Sequence, residues 1–224
     1  MNSAQRRPIV VLISGRGSNM RRLIECGSDP HSPFVVSKVF ADREDAGGLA
    51  LARSLRTAAD ALLPGAFPDR SAYDAALADA IDACAPALVA LAGFMRILSA
   101  PFVRRFDGRI MNIHPSLLPK FPGLDTHERA LAAHEREHGA TVHFVTPELD
   151  RGPAILQARV PVQAGDDATS LAARVLAVEH MIYPLAVRWF CDGRLRQRDG
   201  RAWLDGAPLE RPVQLENTAT SEAS

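Results

Sequence analysis

The apolar run of residues 8–14 ends on a glycine-bracketed turn, Gly15-Arg16-Gly17-Ser18-Asn19, and a helical pattern through Met20, Leu23 and Ile24 follows at once. A strand without polar alternation is buried on both faces, which places it inside a parallel sheet. Parallel neighbours need crossovers, so the rest of the chain has to alternate strands with helices. It does. Residues 34–40 read as a second strand, 46–56 as a helix, 58–62 as a short third strand, and 69–84 as a helix with Tyr73, Leu77 and Ile81 on one stripe. Residues 87–92 and 109–114 supply a fourth and a fifth strand. The expected fold class is α/β, a doubly wound, mostly parallel sheet with helices on both faces.

Beyond the fifth strand, Pro115, Pro119, Pro122 and Gly123 make residues 115–126 a loop of restricted shape. A helix from about residue 127, strands at 141–146 and 154–160, and a long helix over 167–190 complete the body. Short segments at 194–197 and 202–204, divided by Asp199-Gly200, read as a hairpin. The expected organisation is an extension at 1–7, one domain over 8–209, and a polar, aperiodic and disordered tail over 210–224.

Composition narrows the function classes. Lys plus Arg and Asp plus Glu both number 26 in 224 residues, so net charge calls for neither nucleic acid nor an anionic membrane. An anionic ligand must be held by a local site. The apolar stretches read as strand-sized and the first residues are polar, so no span or signal sequence is expected. Cys26, Cys84 and Cys191 show neither CxxC nor metal-ligand spacing, which fits reduced thiols in a cytoplasmic protein without a metal.

The turn after the first strand carries the first chemistry. Backbone N–H groups at a glycine loop that opens a helix collect phosphate. A dinucleotide fingerprint competes, because Asp42 follows the second strand where a ribose-binding acid belongs, although Met20 occupies the place of the third glycine. A tight turn with a Ser cap and no ligand is a third reading.

A second constellation lies at the end of the fifth strand. Asn112 and His114 are two residues apart on a strand and face one side. A carboxylate from the turn Asp150-Arg151-Gly152-Pro153 would bias the ring towards imidazolium, and an amide beside it would help polarise a carbonyl. Each residue alone has a structural reading: a lone His more often serves structure, Asn112 could satisfy neighbouring backbone groups, and Asp before Arg-Gly-Pro is a common way to build a turn.

Four segments together resemble a known family. The Gly15 to Asn19 loop, Leu91-Ala92-Gly93-Phe94-Met95-Arg96-Ile97-Leu98, Asn112-Ile113-His114-Pro115-Ser116-Leu117-Leu118-Pro119, and His138-Gly139-Ala140-Thr141-Val142-His143-Phe144-Val145 closely resemble the phosphoribosylglycinamide formyltransferases of purine biosynthesis. The resemblance runs from about Ile9 to Leu209. It implies formyl transfer from 10-formyltetrahydrofolate to the glycinamide amine with no metal, Asn112 and protonated His114 holding the oxyanion, and Asp150 supporting the ring and moving the proton. It also implies that Gly15, Arg16, Gly17, Ser18 and Asn19 hold the ribose phosphate and that Glu179 binds the glycinamide substrate. The folate side would comprise Arg70, Met95, Arg96, Ile97, Leu98, Asn112, Thr146, Pro147, Glu148, Leu149 and Asp150. Arg70 would pair with the glutamate tail. Leu176 and Asp125 depart from the family pattern. The implied partners are small-molecule substrates, with no nucleic acid or membrane, in a monomer or homodimer.

Other readings predict different features. A formyltetrahydrofolate hydrolase would lack the phosphate loop and carry a preceding regulatory domain, and methionyl-tRNA formyltransferase would add a basic C-terminal domain. A nicotinamide-dependent reductase rests on Gly15, Gly17 and Asp42 alone, and a folate or nucleotide sensor would bind without turnover.

Overall fold

The structure, a computed structural model, describes residues 6–215. Strand β1 (Arg7–Ile13) leads into helix α1 (Ser18–Ser28), then β2 (Phe34–Ala41), α2 (Gly47–Ser54), β3 (Ala59–Ala61), α3 (Arg70–Asp82) and β4 (Leu88–Leu91). Helix α4 (Ala100–Arg105), β5 (Ile110–His114), α5 (Thr126–Ala132), β6 (Glu137–Phe144), β7 (Ala154–Pro161) and α6 (Ala168–Cys191) follow. The chain closes with β8 (Leu195–Arg198), β9 (Arg201–Leu204), β10 (Ala207–Pro208) and β11 (Val213–Leu215).

Among the described residues, eight strands form the main sheet in the order β11-β7-β6-β5-β4-β1-β2-β3, and β8 to β10 form a small separate sheet. All strands of the main sheet run one way except β6, which is antiparallel to both β5 and β7. The expected α/β class with a mostly parallel sheet is borne out.

Strand periodicity divides the core. Ile9, Val11 and Ile13 of β1 pack on one face with Met20, Leu23, Leu49 and the α6 residues Leu171, Val175 and Ile182. Val10 and Leu12 point the other way, into Tyr73, Leu77 and Ile81 of α3 and Phe102 of α4. Both faces are covered, which is why β1 is apolar throughout.

Several sequence expectations shift. Strand β6 starts at Glu137 and ends at Phe144, so Thr146, expected inside a strand, lies in the following loop. Helix α4 was not anticipated, its six residues being too few for a period to register. The segment expected to be a disordered tail contributes β11, whose Val213 to Leu215 pair with Leu156 to Ala158 of β7. The extension expected at 1–7 overlaps β1 at Arg7, and residues 1–5 and 216–224 lie outside the described residues.

Helix α6 corrects the reading that apolar stretches are only strand-sized, since its 24 residues are long and apolar enough to cross a membrane by length and composition. It is a core helix. Its buried Tyr183 donates from the phenol to the carbonyls of Leu91 and Met111, at 2.9 and 3.2 Å, and so ties α6 to β4 and β5. Pro184 cannot donate to the carbonyl of His180 one turn earlier, and Arg22 of α1 donates there instead, at 3.3 Å. That bond sets α1 beside α6 at the level of Asn19 and Glu179.

Candidate active site

A cleft of about 600 Å³ opens at the carboxyl ends of β4 and β5, the edge at which α/β sheets hold ligands. Asn112 and His114 leave β5 on the face that Ile110 buries against α3 and α4. The antiparallel register of β6 then places His143 directly opposite Asn112.

That pairing fixes the amide. His143 Nδ1 donates to the Phe144 carbonyl at 2.9 Å, so its Nε2 is an acceptor, and Asn112 Nδ2 donates to it at 3.2 Å. Burial pushes the His143 pKa down against the pull of the Asp150 carboxylate, which keeps the ring neutral and this tautomer in place. The second N–H of Asn112 is left for the cleft.

His114 is buried, and its Nε2 donates to the Phe121 carbonyl at 2.9 Å. Its Nδ1 faces Asp150 Oδ2 at 3.5 Å, and the other Asp150 oxygen lies 3.7 Å from His143 Nε2. Asp150 Oδ2 also accepts from the Gly123 N–H at 2.8 Å, so one carboxylate addresses the imidazole and clamps the loop above it.

The backbone places Asp150 by sterics. Its φ is +52°, a left-handed conformation that Asp tolerates better than most residues. Two residues on, a Cβ at Gly152 would collide with the Phe144 carbonyl, so the chain can cross there only as glycine.

On the other side of the cleft, Asn19 Nδ2 donates to Glu179 Oε2 at 2.6 Å. Glu179 is buried in mid-helix, and that burial raises its pKa to about 7, partly offset by the Asn19 hydrogen bond. Helix α1 begins after Gly17 at φ +75°, with no side-chain cap and no acid in its first turn. Its leading N–H groups are free to meet an anion. A Cβ at Gly17 would press on Gly48 Cα at 3.1 Å, so the glycine is required by position as well as by φ.

The structure therefore brings Asn112, His114 and Asp150 together and lines the same cleft with Asn19, Glu179, Met95, Arg96, Ile97, Leu98, Thr146, Pro147, Glu148 and Leu149. Gly15, Arg16, Gly17 and Ser18 stand just outside it, before Asn19. Arg70 does not line it, and its side chain is half exposed at the start of α3. Sequence reasoning missed His143, whose part depends on a strand reversal that no local pattern signals. Four of the exposed large apolar side chains among the described residues, Met95, Ile97, Leu124 and Leu149, rim this cleft, as expected where a flat apolar ligand docks.

The formyl transferase family model matches residues 7–187. The chain belongs to the formyl transferase family. It is 53% identical over 201 residues to the phosphoribosylglycinamide formyltransferase of Escherichia coli strain K12, covering 90% of this chain and 95% of that protein. The enzyme of the same name from Haemophilus influenzae is 42% identical over 205 residues, covering 92% and 97%. Among solved structures, the phosphoribosylglycinamide formyltransferase of Coxiella burnetii superposes with a TM-score of 0.90 at 43% identity, over 94% of this chain and all of that one. The resemblance drawn from the four motifs is borne out, and this formyl transferase is an enzyme of the transferase class acting on small molecules with a formyl-folate cosubstrate.

Proposed function

We propose that this formyl transferase moves the formyl group of 10-formyltetrahydrofolate onto the amine of 5'-phosphoribosylglycinamide, giving formylglycinamide ribonucleotide and tetrahydrofolate in de novo purine biosynthesis. The observation that supports the residue roles is that an amide, an imidazole and a carboxylate share one cleft between the Asn19–Glu179 pair and the apolar Met95 to Leu98 wall.

The free amine attacks the formyl carbon, and negative charge develops on the former carbonyl oxygen. Asn112, oriented by His143, and His114 Nδ1–H donate to that oxygen; because the Phe121 carbonyl already holds Nε2–H, the ring does not have to reorganise. Asp150 takes a proton from the attacking nitrogen and returns it to the folate nitrogen as the carbon–nitrogen bond breaks. The path needs no metal, because these side chains meet both the charge and the proton.

Free N–H groups at the α1 terminus, with Gly15 to Asn19, receive the ribose phosphate, and Glu179 meets the glycinamide end. Arg70, Arg96 and the loop from Thr146 to Asp150 complete the folate side. Balanced charge favours small-molecule substrates over nucleic acid or an anionic membrane as partners, and the reading is completed by a cytoplasmic monomer or homodimer, as in the resemblance.

The test incubates purified protein with formyltetrahydrofolate and phosphoribosylglycinamide, omitting each in turn. Formylated ribonucleotide that appears only with both present is expected. Formate released without the amine would replace transfer by hydrolysis.

A further inference from the structure

One buried carboxylate lies outside the reacting trio and does not line the cleft. Asp74, in the middle of α3, is 3% exposed, and its Oδ2 accepts from the backbone N–H of Ser99 at 2.8 Å. Ser99 precedes α4 and closes the segment that begins at Gly93. Burying a carboxylate is costly unless it is hydrogen-bonded, so a single backbone donor points to a geometric task.

The other end of the segment is held as well. Ser14, just past β1, accepts at its Oγ from the Met95 N–H at 2.8 Å and donates its own N–H to the Gly93 carbonyl at 2.9 Å. Between these anchors the Arg96 guanidinium lies over the ring of Tyr73, 5.0 Å from its centroid, and Tyr73 is the buried neighbour of Asp74 on α3. Arg70, one turn earlier, has its Nε 3.9 Å from Asp74 Oδ2. Met95 and Ile97 are nonetheless 64% and 59% exposed. Large apolar side chains held out on a fixed backbone form a wall that waits for its ligand without having to be ordered by it.

We propose that Asp74 is a positioning residue for the formyl-folate cosubstrate, fixing the Met95 to Leu98 wall from α3 as Ser14 fixes it from β1, and holding Arg70 beside the same wall. The proposal rests on the reading of that wall as the folate side. No proton or bond passes through Asp74, so its effect falls on folate binding and spares the ribonucleotide and the chemical step.

The experiment measures steady-state kinetics of Asp74→Ala, Asp74→Asn and Ser14→Ala, varying each substrate against saturating amounts of the other. In Asp74→Ala and Ser14→Ala the KM for formyltetrahydrofolate rises about tenfold, as for an interaction of about 1.4 kcal/mol, while kcat and the ribonucleotide KM stay within about twofold. Asp74→Asn keeps an acceptor for the Ser99 N–H and recovers most of the loss. An unchanged folate KM, or equal changes in both KM values and kcat, overturns the proposal. Should Asp74→Ala fail to fold, Ser14→Ala decides by the same criteria. A wild-type protein that transfers no formyl group from folate defeats the reading of the site itself, whereas a working wild type with unmoved variants defeats only the positioning role.

Discussion

The two loops that flank the cleft, one after β1 and one after β5, are held in different ways. The loop after β1 spans a few residues and is fixed largely by short-range backbone contacts, with the Gly48 N–H donating to the Gly15 carbonyl at 3.0 Å and no cap side chain, its side-chain bonds lying at its ends in Ser14 and Asn19. The loop after β5 is held by side chains from strands far along the chain. Thr141 of β6 accepts from the Leu118 N–H at 3.0 Å and donates to the Ser116 carbonyl at 2.7 Å. Gln157 of β7 donates to the Leu118 carbonyl at 2.8 Å, and Gln214 of β11 donates in turn to Gln157 Oε1 at 3.1 Å. A loop that receives an anion needs bare N–H groups, whereas a loop that backs an imidazole with a carbonyl needs to be immobile.

The comparison can be broken at its first loop. Gly17→Val puts a branched side chain at φ +75° against Gly48 Cα, displacing the backbone proposed to receive the phosphate. The KM for phosphoribosylglycinamide is expected to rise about a hundredfold, equivalent to about 2.7 kcal/mol, with the folate KM unmoved. A ribonucleotide KM equal to wild type would remove the phosphate from this loop.

The second loop answers to a different substitution. Thr141→Val keeps the shape but deprives the Leu118 N–H and the Ser116 carbonyl of their buried partner, which should cost about 1–3 kcal/mol of stability. Denaturant unfolding measures it. A loss confined to stability, with kcat intact, would show that the anchoring holds the fold rather than the imidazole.

The smallest effect sharpens the first side of the cleft. Glu179 has a folded pKa of about 7, raised by burial from 4.5, so the contribution of this one group to the stability of the unliganded protein is full below about pH 4.5 and is lost as pH rises through about 7. Binding of the ribonucleotide should strengthen over the same window if, as proposed, the ionised carboxylate meets the glycinamide end. Between pH 6 and 8 the ionised fraction grows about tenfold, and Glu179→Gln should flatten that part of the ribonucleotide KM profile. A wild-type profile identical to that of the Gln variant would separate Glu179 from the substrate.

The same contrast explains what the sequence made legible. Pro8 to Ser14 and the glycine turn define β1 and the start of α1 from neighbours alone, and Asn112 with His114 follows from a two-residue strand period. His143, Thr141 and Gln157 could not be assigned tasks, since each depends on the antiparallel register of β6 between β5 and β7. Asp74 was hidden for a related reason, because its partner is the backbone of Ser99, which no side-chain pattern announces. The short strand β11 lies in a segment whose polarity resembles a tail, yet its edge pairing with β7 is made by backbone groups that composition does not report.

The central claim is that Asn112, His114 and Asp150 act on the developing charge while the two sides of the cleft do the binding. Titration of each ligand into His114→Ala and Asp150→Asn, set beside turnover of the same samples, tests it most directly. The account predicts that kcat falls at least about a thousandfold, a few kcal/mol of transition-state stabilisation, with both dissociation constants within about threefold of wild type. Loss of affinity in step with loss of rate would contradict it.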